Sequence, residues 1–101
     1  MDMKRMMGGR PRIAVIEPNT LAVLGLKNIL QNVLPIMEVE TFSSFDDFYT
    51  ANPDSFFHYF VAQTIVLENR IFFTERRQKT ILLTVSKDSN SFHIHKRTVL
   101  F

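Results

Sequence analysis

The side chains able to do chemistry fall into a few small groups. Asp46 and Asp47 stand together and would suit paired-carboxylate acid–base work. Ser44, three residues ahead of Asp47, gives the segment the form of a capping box with Asp in place of Glu, and first-turn acids complement a helix dipole. That is the commoner meaning of such a pair. His93 and His95 lie two apart, so on a strand they share one face, as a metal pair would, but no third ligand accompanies them. His58 stands alone in an apolar run, where histidine is more often a satisfied core or strand-end residue than a ligand. Arg76, Arg77 and Lys79 form a basic cluster, whose ordinary meaning is the solvated last turn of a helix. One acid, Glu17, closes the run Ile13 to Ile16. No glycine-rich phosphate loop is present, because Gly25 falls inside a helical pattern and Gly8-Gly9 precede the first apolar run.

Composition narrows the classes. A chain of 101 residues with 46% apolar content and ten Phe is one packed domain, too short for two cores. It has no cysteine, which excludes disulfides and thiolate metal sites and favours a cytoplasmic home. No apolar run approaches the roughly 20 residues needed to cross a bilayer, and the N-terminus lacks a signal-peptide core. A net charge of +2 is too small to imply nucleic acid.

Stepping along the chain, Met1 to Pro11 reads as a flexible basic arm carrying Lys4, Arg5 and Arg10, able at most to touch phosphates. Ile13 to Ile16 is β-branched and apolar, suited to a strand buried on both faces. Asn19 is the expected N-cap of a helix whose core stripe is Ala22, Leu26, Ile29, Leu30 and Val33, ended by Pro35. Leu21, Val23 and Leu24 lie off that stripe, as a wide buried face or a partner contact. Met37 to Phe42 alternates apolar and acidic residues, as a half-buried strand near the sheet edge does. A helix from Ser44 should carry Phe45, Phe48 and Tyr49 on its core side and end at Asn52-Pro53-Asp54. Within Phe56 to Leu67, Phe57 to Ala62 is the expected central strand. Glu68 to Gln78 reads as a short helix or connector with Ile71, Phe72 and Phe73 inward. Lys79 to Val85 is a further buried strand ending in Thr84, and Thr98 to Phe101 is a candidate last strand.

This order of elements implies an α/β fold, a flavodoxin-like doubly wound parallel sheet, incomplete or altered after the fourth strand. At the residue level Arg12 to Leu30 resembles the start of bacterial response-regulator receiver domains of the kind joined to a helix-turn-helix DNA-binding domain. Glu17-Pro18-Asn19-Thr20-Leu21 falls on the family's acidic pair and His-Pro-Leu, and Gly25-Leu26-Lys27 on its Gly-Leu-Lys segment. Lys79 to Thr84 is similar to the fourth strand with its switch threonine. The resemblance covers roughly residues 12–86, leaving residues 1–11 as an arm and 87–101 as a divergent end.

The resemblance implies a phosphorylation pocket, and the residues depart from it. A working receiver holds Mg²⁺ with two acids at the first strand end and takes a phosphoryl group on an Asp at the third; the ion requires hard oxygen ligands. Here the acid positions are Glu17 and Pro18, and the third strand puts Ala62 or Gln63 where the Asp belongs. An alternative register, with Thr64 to Leu67 as the strand, puts Glu68 there, at the expense of a normal third helix before Thr84. Thr84 fits the switch position, and the family's fifth-strand Lys has no counterpart in residues 86–101.

The expectation is therefore a degenerate, phosphorylation-independent receiver-like module acting in transcriptional regulation through protein contacts, not an enzyme, with no cofactor, metal, membrane or small-molecule substrate. A homodimer is expected on two grounds. Leu21, Val23 and Leu24 are excess apolar surface, and a sheet lacking its last helix would leave a face and an edge open. A DNA-binding domain or a histidine kinase is the further partner class. The rival readings are an active phosphoacceptor receiver with a misaligned pocket, and nucleic-acid binding by the basic arm with Arg76, Arg77 and Lys79.

Overall fold

An apolar run with no polar alternation has to be covered on both sides, and Ile13, Ala14, Val15 and Ile16 are all fully buried. They form β1 (Arg12–Ile16) in a computed structural model of the chain, which describes residues 10–84 fully and the backbone of Val85 and of 92–95. The other elements are α1 (Thr20–Val33), β2 (Glu38–Phe42), α2 (Phe45–Tyr49), a 3₁₀ turn at Pro53–Ser55 and β3 (His58–Ala62). Then come α3 (Gln63–Glu68), α4 (Arg70–Glu75), β4 (Thr80–Val85) and β5 (Phe92–His95). The sheet order is β2-β1-β3-β4-β5, with the first four strands parallel and β5 antiparallel to β4. This is an α/β, flavodoxin-like doubly wound sheet altered after its fourth strand.

Strand alternation divides the core between the two faces. On one face Ile13, Val15, Val39, Phe60, Ile81 and Leu83 pack under Leu26 and Leu30 of α1. On the other, Ala14, Ile16, Tyr59 and Val61 meet Phe48 of α2, Ile65 and Val66 of α3, Phe73 of α4 and Phe56. Aromatic rings fill this second core. Phe48 touches Phe42, Phe45 and Tyr59 edge to face, with ring centroids 5.0 to 6.1 Å apart, and Phe72 and Phe73 continue the cluster.

The caps behave as the sequence reads. Asn19 Oδ1 accepts the Ala22 N–H at 3.1 Å, and Ser44 Oγ accepts that of Asp47 at 3.2 Å. Four core assignments need correction. Ile29 is 45% exposed and Val33 is exposed too: the sheet takes only Ala22, Leu26 and Leu30, Ile29 lies about 60° round the helix from the centre of that stripe, and Val33, though on the stripe, is the last residue of the helix. Tyr49 is exposed: Phe45 and Phe48 take the inner face of the short α2, and Tyr49 lies over the rim rings of Phe45 and Phe72. Ile71 is also exposed, since the inward turn of Phe72 and Phe73 leaves it on the far side of α4.

At the far side of the sheet the outer edge of β4 is covered, and β5 takes the edge position in its place. β5 pairs with β4 from Leu82 to Val85, and Ile81 and Leu83 are buried. The strand proposed for Thr98 to Phe101 and most of the basic arm lie outside the described residues. Of the arm, Pro11 accepts the Glu38 N–H at 2.8 Å, and Arg10 Nη2 donates to the Met37 carbonyl at 3.2 Å. Both are tied to the edge strand.

Candidate functional site

Parallel register decides which residues meet at the carboxyl edge of the sheet. Ile16 pairs with Val61, so Glu17 is level with Ala62; Ala62 pairs with Leu83, one residue before Thr84. Glu17, Pro18, Ala62 and Thr84 therefore stand along the ends of the three neighbouring strands β1, β3 and β4. In open α/β sheets this edge is the usual ligand side.

Each position has its own environment. Glu17 is half-buried; its N–H donates to the Phe42 carbonyl at 3.0 Å, and its Oε2 accepts the Asn19 N–H at 2.8 Å. The carboxylate thus folds back on the turn that leads into α1, a partner the sequence reading did not assign to it. Pro18 is exposed and offers no side-chain oxygen. Ala62 is 6% exposed and belongs to the aromatic-side core cluster. It is also the N-cap of α3, which starts at once with Gln63, and it provides no side-chain cap. An ionised carboxylate at that position would be taken out of water, at considerable cost without a partner. Thr84 is half-buried.

The alternative register is not the one adopted. Thr64 to Leu67 and Glu68 are helical, and β3 ends at Ala62. Apolar runs of this length do not by themselves distinguish a buried strand from a buried helix. Here the run contains both, with the change at Gln63.

The remaining candidates are separated in space. Asp46 and Asp47 are exposed in the first turn of α2, with Asp47 N–H on the Ser44 cap. His58 opens β3, its Nδ1 3.4 Å from the Lys79 carbonyl. His93 and His95 lie on β5, level with Thr84 and Leu82. Among the described residues no three His, Cys, Asp or Glu side chains stand close enough to hold a metal ion, and no helix is long and apolar enough to cross a membrane.

The basic cluster is not simply a solvated turn. Arg76 Nε donates to Asp54 Oδ1 at 2.9 Å and its guanidinium lies 3.9 Å from the Phe72 ring centroid, while Arg77 is exposed. The hydrogen bond from Arg76 holds the Asp54 carboxyl below its usual range, helped by the charges of Arg76 and Lys79. The Lys79 ammonium lies 5.1 Å from the Tyr59 ring centroid. Burial pushes the Tyr59 phenol up to about 12, and its hydroxyl donates to the Pro53 carbonyl at 2.8 Å.

Arg12 was missed as an organising residue. It donates to Glu40 Oε2 at 2.6 Å and to Ser55 Oγ at 3.0 Å, and it lies over the Phe56 ring at 4.3 Å. The available signal was an Arg at the start of a strand facing an edge strand with two acids, Glu38 and Glu40, in alternation.

No family model matches the chain, and no significant match is found among curated proteins or solved structures.

Proposed function

We propose that this chain is a degenerate receiver-like signalling module that acts in transcriptional regulation by protein–protein contact, in the cytoplasm, without accepting phosphate and without enzyme activity. The observation that carries the proposal is Ala62. The flavodoxin-like sheet brings the ends of β1, β3 and β4 together in the manner of a receiver pocket, and the position level with Glu17 is a buried methyl group. Pro18 beside it leaves the metal position with one acid, Glu17, which is already engaged with the Asn19 N–H. A hard cation such as Mg²⁺ calls for several oxygen ligands in near-octahedral array, and this edge offers few. Glu68, the acid on which a working phosphoacceptor would depend in the alternative register, lies at the end of α3.

The contact surface in this proposal is the outer side of α1. Leu21 is 81% exposed and Leu24 61%, with Val23 partly covered between them. Exposed leucines one turn apart on a helix already supplied with a separate core stripe suit an interface, and the partner proposed is a second copy of the chain. The other partners expected of such a module are a DNA-binding domain or a histidine kinase.

The test is incubation with acetyl phosphate, or with a beryllofluoride mimic, in the presence of Mg²⁺. Intact mass and melting temperature should both stay unchanged. A metal-dependent shift that disappears in Glu17→Gln would overturn the proposal.

A further inference from the structure

The opposite, amino-terminal edge of the sheet carries a second concentration of side chains, which the receiver-like reading leaves unused. The parallel register that aligns the strand ends also aligns their beginnings. The Phe57 N–H donates to the Arg12 carbonyl at 2.7 Å and the Tyr59 N–H to the Lys79 carbonyl at 2.8 Å. Arg12, Phe57 and Lys79 are thereby held side by side by backbone hydrogen bonds at the starts of β1, β3 and β4. Together with Arg10, Asp54 and Phe56 they line an open cleft of about 510 Å³. Small-molecule sites fall roughly between 300 and 1,000 Å³, so the cleft has room for more than a single ion.

The charges in it do not cancel. Asp54, the one acid lining the cleft among the described residues, is paired with Arg76 at 2.9 Å, and Arg12 is paired with Glu40 at 2.6 Å. Arg10 donates to a neutral carbonyl and Lys79 rests over an aromatic ring. Among the described residues neither cation has a carboxylate within ion-pair distance. Arg10 and Lys79, neither in an ion pair among the described residues, stand with Arg12 on one rim and give it an excess of positive charge that suits an anion; Arg also matches phosphate in a two-point fork. The wall adds a flat apolar group. Phe57 is 56% exposed with the His58 ring edge-on to it at 4.7 Å, so one large ring is available to stack on a ligand.

The geometry points to a nucleoside-phosphate site at this edge, with Arg10 and Lys79 on the phosphate and Phe57 stacking on the base. Base–aromatic stacking tolerates any base, and phosphate contact supplies salt-dependent affinity. The same chemistry is presented by a free mononucleotide and by a single strand of nucleic acid, and the test separates the two. The site is independent of the receiver-like proposal, since it shares no residue with Glu17, Pro18, Ala62 or Thr84.

The full chain would be titrated at low salt with adenosine monophosphate, with inorganic phosphate and with a short fluorescein-labelled oligothymidylate, followed by amide chemical shifts and anisotropy. Saturable binding is expected, weakened about tenfold or more by Arg10→Glu and by Lys79→Glu. Lys27→Glu, on exposed α1, changes net charge equally and should have little effect. Phe57→Ala should weaken the nucleoside phosphates about tenfold and leave inorganic phosphate unchanged. Thermal melts establish that each variant is folded, and Arg10→Gln and Lys79→Gln replace a reversal that lowers the melting temperature. Affinity for the monophosphate equal to that for the oligonucleotide assigns the free nucleotide, and much tighter oligonucleotide binding assigns the single strand. No saturable binding of any probe overturns the assignment. So does a loss with Lys27→Glu as large as with the cleft variants, or indifference to Phe57→Ala.

Discussion

Leu26→Ala, set against Ile29→Ala in the same helix, tests how α1 sits on the sheet. Leu26 is 1% exposed and packs with Ile13, Val15, Val39, Phe60, Ile81 and Leu83, whereas Ile29 is 45% exposed. Truncating a leucine removes three carbons, worth about 2.4 kcal/mol at roughly 0.8 kcal/mol per buried methylene. The cavity left among strand residues that cannot collapse raises this to about 3–4 kcal/mol, within the roughly 2–5 kcal/mol range for such changes. A domain of this size has about 5–15 kcal/mol in total, so the loss is a large share of its stability. In urea, with a slope of about 1–1.5 kcal/mol per molar, the midpoint should fall by about 2–4 M. Ile29→Ala should cost about 1 kcal/mol or less, because much of its side chain is already in water. Equal losses in the two variants, or a loss below about 1 kcal/mol for Leu26→Ala, would refute the packing described for α1.

Tyr59→Phe removes the hydroxyl that donates to Pro53 and should cost about 1 kcal/mol at neutral pH. Since burial raises the phenol to about 12 from its ordinary 10, the folded state holds its proton longer than the unfolded chain does. Stability from this shift is complete below about pH 10 and is lost as pH rises towards 12. Urea melts across that window should show a drop that is smaller in Tyr59→Phe. Glu17→Gln keeps an acceptor oxygen for the Asn19 N–H and should change stability by no more than about 0.5 kcal/mol, read from the same melts. A loss as large as that of Leu26→Ala would make Glu17 a structural or ligand-binding group.

The fold was legible wherever one local signal agreed with the pattern around it. β1 is apolar without alternation and proved an interior strand buried on both faces; β2 alternates with acids and proved an edge. The Asn19 and Ser44 caps were readable because a short polar side chain precedes an apolar period in each case. What periodicity could not settle was which flank of a helix the sheet reaches. Ile29 and Val33 satisfy the helical pattern as well as Leu26 does, and only the position of the helix on the sheet leaves them outside. The antiparallel return of β5 was not read from the sequence, although the stretch before it holds turn-forming residues, Asp88, Ser89 and Asn90. At the candidate site, the alignment of Glu17, Ala62 and Thr84 followed from strand order. The Glu17–Asn19 turn and the links of Arg12 to Glu40, Ser55 and Phe56 depend on side-chain directions that a one-dimensional reading does not contain.

The most direct measurement of the central proposal is sedimentation velocity at micromolar concentration, run with and without acetyl phosphate and Mg²⁺. The account predicts a homodimer in both conditions, with the same association constant, and predicts that Leu21→Glu or Leu24→Glu converts it to folded monomer. A monomer throughout, or a dimer that forms only with the phosphoryl donor, would contradict it.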